Sequence, residues 1–138
     1  MKLLLDTHAA LWWLSDDRRF SKAAAGHLAD PANQMLLSVA VVWEVAIKRS
    51  LGKLDAPESF ASTVLDAGAL PLPIELRHVA AVEQLPLHHP DPFDRMLVAQ
   101  SLVEDIPILP ERRSVLRCLR RHPSVVSQVR DSRCVRGR

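Results

Sequence analysis

Cysteine is nearly absent from this 138-residue chain: only Cys118 and Cys134 occur, both close to the C-terminus. Neither has partner ligands at metal spacing, which excludes a disulfide framework and a structural zinc site as organising principles. Long apolar runs are missing too. No stretch approaches the roughly 20 residues needed to cross a bilayer. Ahead of Asp6 the N-terminus offers one lysine and three leucines, too short for a signal-peptide core. A cytoplasmic protein with no membrane association is therefore expected. No internal repeat or low-complexity segment precedes residue 110. What is present is a globular composition, 48% hydrophobic, at a length that suits one domain with a real core.

The net charge of +2 hides an asymmetry. Residues 1–110 hold 9 Lys and Arg against 14 Asp and Glu, a balance of −5. Residues 111–138 hold 9 Arg against 2 acids, a balance of +7. The body mixes Lys with Arg, whereas every basic residue of the tail other than histidine is Arg. A basic arm is a common nucleic-acid feature. A tail unrelated to the fold is the plainer alternative. The division expected is thus a core over residues 1–110 and an atypical Arg-rich segment over residues 111–138.

Short apolar segments alternate with helical patterns along the core. Lys2 to Leu5, Met35 to Leu37, Ala69 to Leu72 and Pro107 to Leu109 read as buried strands. Thr7 to Leu14 reads as a helix, and Ser21 caps a second one through Leu28. Ser38 caps a third running to about Ser50, which Gly52 stops. Pro57 suits the first turn of a fourth, which Gly68 ends. Glu75 to Leu85 and Phe93 to Glu104 are the last helices, separated by a proline-containing loop from His88 to Pro92. This alternation predicts an α/β fold: a short parallel sheet flanked by helices in three layers. In such sheets ligands sit at the carboxyl ends of the strands.

Three acids stand where apolar runs end or are interrupted. Asp6 closes the first strand. Glu44 interrupts Val39-Ala40-Val41-Val42-Trp43-Glu44-Val45-Ala46-Ile47. Asp94 lies in His88-His89-Pro90-Asp91-Pro92-Phe93-Asp94-Arg95, just ahead of an apolar helix. Each has a plain structural role available. Asp6 can cap the helix that begins at Thr7. Glu44 can pair with Lys48 one turn on. Asp91 and Asp94 can be solvated residues favoured by a helix dipole. Against this, the neighbours of Glu44 are apolar around most of the helix, so the helix is expected to be buried. A buried carboxylate is costly without a compensating cation, and three converging carboxylates would suit a hard divalent cation such as Mg²⁺ or Mn²⁺. Thr7 offers a hydroxyl beside Asp6 for orienting a ligand or water, and Asp91 is a candidate auxiliary acid of the catalytic set Asp6, Glu44, Asp94 and Asp91. Arg95 is expected to pair with Asp91, with a phosphate contact as the alternative.

Other readings carry less. His88 and His89 are adjacent, and neighbouring side chains on an extended segment point apart, which disfavours zinc. A haloacid-type phosphatase also begins with a strand followed by Asp, but it needs a second Asp where this chain has His8. Trp12, Trp13 and Trp43 could stack RNA bases; their apolar neighbours favour burial in a core or an interface.

Four blocks, in order, resemble the PIN-domain toxins of the VapC type. They are Leu4-Leu5-Asp6-Thr7-His8-Ala9, Ser38 to Lys48, Gly52-Lys53-Leu54 and His88 to Arg95, within residues 1 to about 109. The resemblance implies a Mg²⁺-dependent endoribonuclease, the toxin half of a toxin–antitoxin pair, with RNA as substrate, a small antitoxin as partner and a homodimer expected. It implies that Asp6, Glu44 and Asp94 bind the metal. It further implies docking surfaces on the first helices, with Leu11, Trp12 and Trp13 as candidates.

The chain departs from that pattern after Leu109. The family has Thr, any residue, then a fourth Asp; this chain reads Pro110-Glu111-Arg112, with Arg112 at the Asp position. The final apolar strand is reduced to Val125-Val126. Together with the charge switch, this points to a reading-frame shift near the codons for Leu109 to Arg112. Translating the other frame tests it: a restored Thr-x-Asp and apolar strand are expected. The alternative function is then a catalytically impaired module that binds antitoxin or dimerises without cleaving RNA.

Overall fold

A computed structural model of the protein describes residues 1–15, 21–86 and 90–109. The expectations about His88, His89, Glu111, Arg112, the two cysteines and the whole Arg-rich segment lie outside the described residues. Within them the chain runs β1 (Lys2–Leu5), α1 (Thr7–Ser15), α2 (Lys22–Ala29), β2 (Gln34–Ser38) and α3 (Val39–Ser50). It continues through α4 (Phe60–Asp66), β3 (Leu70–Leu72), α5 (Leu76–Glu83), α6 (Pro92–Glu104) and β4 (Ile108–Leu109). The four strands form one sheet in the order β3-β2-β1-β4, and every pairing is parallel. The expected α/β architecture, a short parallel sheet flanked by helices, is the observed one. No helix among the described residues is long and apolar enough to cross a membrane.

Burial along the strands follows their place in the sheet. Leu3, Leu4 and Leu5 of β1 are buried without alternation, as are Met35, Leu36 and Leu37 of β2. Central parallel strands covered on both faces need such continuous apolar runs. β3 lies at an edge, and Leu70 there is exposed. Helix packing completes the core through Ala9, Ala10, Val41, Val45, Phe60, Val64, Leu97, Val98 and Leu102.

Local signals set most helix ends. The Ser21 hydroxyl accepts from the Ala24 amide, and the Ser38 hydroxyl accepts from the Ala40 amide, as N-caps do. Gly52 takes φ +65° just past α3, the left-handed turn that glycine accommodates without steric cost. Most other boundaries shift by one or two residues, and two of the shifts involve proline. Pro57 stands outside α4, because its carbonyl accepts from the Phe60 amide in a preceding turn. The helix proper starts at Phe60. α6 begins one residue earlier than expected, at Pro92, whose fixed φ and missing N–H suit the first helical position.

Strand order locates the crevice. β2 and β3 extend to one side of β1 and β4 lies on the other. That reversal is a topological switch point, where open α/β sheets place their ligands at the strand carboxyl ends. Asp6 directly follows β1, and its amide donates to the Leu109 carbonyl at the end of β4, 3.1 Å away. The backbone around Asp6 is thereby fixed from both strands.

Candidate active site

Asp6 is 2% exposed, and its Oδ1 accepts from the Ala9 amide at 2.7 Å. The capping role open to it in the sequence is real. It leaves Asp6 at the carboxyl edge of the sheet all the same, since a cap and a site residue occupy the same place when a helix starts directly from a strand. Thr7, the next residue, is also buried. Its hydroxyl donates to Glu44 Oε1 at 2.8 Å, across 37 residues of sequence. This bond joins the start of α1 to the middle of α3.

Glu44 is 4% exposed, as the apolar circumference of α3 predicts. Its second oxygen, Oε2, accepts from Lys48 Nζ at 3.0 Å. The surface-pair reading and the buried-acid reading therefore both hold. The pair bridges the boundary: the Glu44 side chain is 5% exposed and that of Lys48 is 39%. Removing a carboxylate from water costs several kcal/mol unless a cation and hydrogen bonds compensate it. Thr7 and Lys48 supply that compensation from inside the chain.

Asp94 lies in the first turn of α6 and is half-buried. Trp43 and Phe93, the residues just before Glu44 and Asp94, meet edge to face with ring centroids 5.0 Å apart and planes at 78°. This contact carries the N-terminal end of α6 to α3 at the level of Glu44. Trp43 is nonetheless 54% exposed, so the core half of its core-or-interface expectation is corrected. The reason is its position on the outward side of α3, where the indole meets the Phe93 ring on one side and solvent on the other. Trp12 and Trp13 are half-buried on α1; Trp13 packs against the core, and Trp12 lies against His8 with centroids 5.6 Å apart.

Two further residues at the start of α6 have defined partners. Asp91 is the N-cap of α6: its Oδ1 accepts from both the Phe93 and Asp94 amides, at 2.8 and 3.1 Å. It holds the helix that presents Asp94. Among the described residues Arg95 does not pair with Asp91. Its guanidinium donates to the carbonyls of Pro86, Val82 and Leu85, tying the C-terminal end of α5 to α6.

Sequence reasoning missed a second polar knot. His78 is fully buried on α5; its Nδ1 accepts from the Glu75 amide at 2.9 Å. With Nδ1 accepting, the proton of the neutral ring sits on Nε2, which donates to Glu104 at 2.7 Å. Arg77 also pairs with Glu104 and with Glu75. The Arg77 hydrogen bond holds the Glu75 carboxyl below its ordinary range, and Glu75 in turn raises Arg77. Only the 26-residue separation of His78 and Glu104 in the chain hides the knot; His78 standing on an apolar helix was the one available sign.

The donors of the first cluster fit a hard divalent cation in kind, being carboxylates and a hydroxyl. Their placement is self-satisfied. Among the described residues no buried side-chain nitrogen or oxygen lacks a hydrogen-bond partner, and no group of three or more His, Cys, Asp or Glu stands together as a ready metal cage.

Comparison with known proteins completes the picture. The model of the family described as PIN domain matches residues 3–112. The match ends at Arg112, where the composition changes. Ribonuclease VapC16 of Mycobacterium tuberculosis (strain ATCC 25618 / H37Rv) is 46% identical over 55 residues, which are 37% of this chain and 39% of that protein. The chain thus matches well under half the length of that curated relative. No solved structure matches.

Proposed function

The chain belongs to the PIN-domain family, and from that premise we propose that it is a Mg²⁺-dependent endoribonuclease, the toxin of a toxin–antitoxin pair. The observation that carries this reading is the buried Thr7–Glu44 hydrogen bond, which holds an acid from α3 against the Asp6 end of β1 at the switch point of the sheet. The ribonuclease similarity supports the substrate class.

In this reading Asp6, Glu44 and Asp94 hold a Mg²⁺ or Mn²⁺ ion. Such an ion acidifies an attacking water and neutralises charge that develops on the phosphodiester. The chain's own residues do the positioning. Asp6 is fixed through its backbone to β4 and through Oδ1 to α1. The Thr7 hydroxyl sets the plane of the Glu44 carboxylate. Asp91 caps α6 and so fixes the turn bearing Asp94. The partners are a small antitoxin and a second copy of the chain, docked on the first helices around Leu11, Trp12 and Trp13.

The impaired-module alternative is favoured by Arg112 at the place of a fourth acid. One experiment separates the two readings: incubation of purified protein with a mixed structured RNA pool and Mg²⁺, beside Asp94→Asn and Arg112→Asp. Cleavage that chelator and Asp94→Asn abolish supports the nuclease. Cleavage regained only in Arg112→Asp assigns the defect to the fourth position. No cleavage from any form, with antitoxin still bound, supports the module.

A further inference from the structure

We infer that Lys48 is an internal counter-ion for Glu44, which a divalent cation must displace before Glu44 can become a ligand. The inference rests on the metal-dependent reading above and adds to it a regulatory contact within the site.

A carboxylate has two oxygens, and both of those on Glu44 are occupied: Oε1 by the Thr7 hydroxyl and Oε2 by the Lys48 ammonium. Each oxygen keeps a second lone pair, but an ammonium 3.0 Å from Oε2 opposes any second cation brought to the same carboxylate. Of the two partners, Lys48 is the one that can leave. Its side chain is 39% exposed and carries four rotatable bonds, so the released ammonium goes directly to water, where lysine is strongly hydrated. Thr7 is buried in the first turn of α1 and cannot withdraw without moving that helix. Thr7 therefore stays as an orienting donor, while Lys48 and the cation compete for one oxygen.

The same lysine keeps the metal-free fold stable, because an unpaired carboxylate at this depth would be strongly destabilising.

Competition of this kind lowers the apparent metal affinity by the fraction of protein in which Glu44 is released. Charge-assisted hydrogen bonds are strong enough to make that factor roughly tenfold to a hundredfold. The test is calorimetric titration of the full-length protein with Mn²⁺, free of RNA and antitoxin, together with thermal melts in chelator. Lys48→Met keeps the apolar stem and removes the ammonium. It is expected to bind Mn²⁺ at least about tenfold more tightly, while melting lower than the starting protein in chelator. Lys48→Arg, which keeps a donor on Glu44, is expected to bind within about threefold of the starting protein. Lys53→Met removes a charge from an exposed lysine beyond the end of α3 and is expected to leave the affinity unchanged. Equal or weaker binding by Lys48→Met overturns the inference and leaves the metal-dependent reading intact. Equal tightening by Lys53→Met also overturns it, by assigning the effect to overall charge. Absence of Mn²⁺ binding in every form overturns both the inference and the reading it rests on.

Discussion

Thr7→Val isolates the bond that joins the two ends of the site. Valine keeps the β-branched shape in the first turn of α1 and deletes only the hydroxyl. Glu44 Oε1 then loses its donor at a place 4% exposed, where water cannot readily replace it. A hydrogen bond to a charged group contributes about 1.5–3 kcal/mol, and a buried acceptor left without its donor loses a comparable amount. Lys48 remains on Oε2, and the added methyl gains a little apolar burial, so a net loss of about 2 kcal/mol is expected. At roughly 2.1 cal/mol/K of unfolding entropy per residue, this corresponds to a melting point lower by about 7 °C. Urea unfolding in chelator reads the free energy directly, with an unchanged slope if the denatured state is unaffected. A double-mutant cycle sharpens the assay. In a Glu44→Met background the hydroxyl has no carboxylate to serve, and Thr7→Val should then be neutral or slightly stabilising. A loss below about 0.5 kcal/mol in the starting protein, or an equal loss in both backgrounds, would refute the role assigned to this bond.

Further predictions follow from the second knot and from the caps. His78→Leu leaves the Glu75 amide and the Glu104 carboxylate without the ring and should cost about 2–4 kcal/mol in urea unfolding, with no change in Mn²⁺ affinity. Glu75 has a carboxyl lowered by Arg77, so its contribution is complete above the ordinary carboxylate range and is lost as the pH falls through the lowered folded value. Arg77→Met should flatten that acid limb of the stability profile, while the difference between the two proteins stays constant above the ordinary carboxylate range. Asp91→Ala should loosen the first turn of α6, lower stability by about 1 kcal/mol, and weaken Mn²⁺ binding through displacement of Asp94. Urea unfolding and Mn²⁺ titration check the two effects separately.

Much of the fold was legible because its signals are local. The unbroken leucines of β1 and β2 mark central parallel strands, and Ser21 and Ser38 act within three residues of themselves. The buried placement of Glu44 was likewise written in the apolar residues around it. Contacts that depend on side-chain direction were less legible. Asp91 and Asp94 are both acids beside one helix start, and only the folded backbone makes Asp91 the cap. Arg95 reaches three carbonyls at the end of α5, while the Asp91 carboxylate is already engaged by the amides of Phe93 and Asp94. Trp43 is apolar in type but falls on the outward side of α3, a distinction that an almost wholly apolar helix conceals. The Thr7–Glu44 bond and the His78–Glu104 bond link residues far apart in the chain, and no spacing rule announces either.

The central claim is that Asp6, Glu44 and Asp94 share one ion. Substoichiometric Mn²⁺ added to the isotopically labelled full-length protein tests it most directly, through paramagnetic broadening of assigned backbone amide signals. The account predicts that the signals of Asp6, Glu44 and Asp94 broaden together and recover with chelator. Broadening centred on Glu75 and Glu104, or broadening spread over the exposed acids with these three spared, would contradict it.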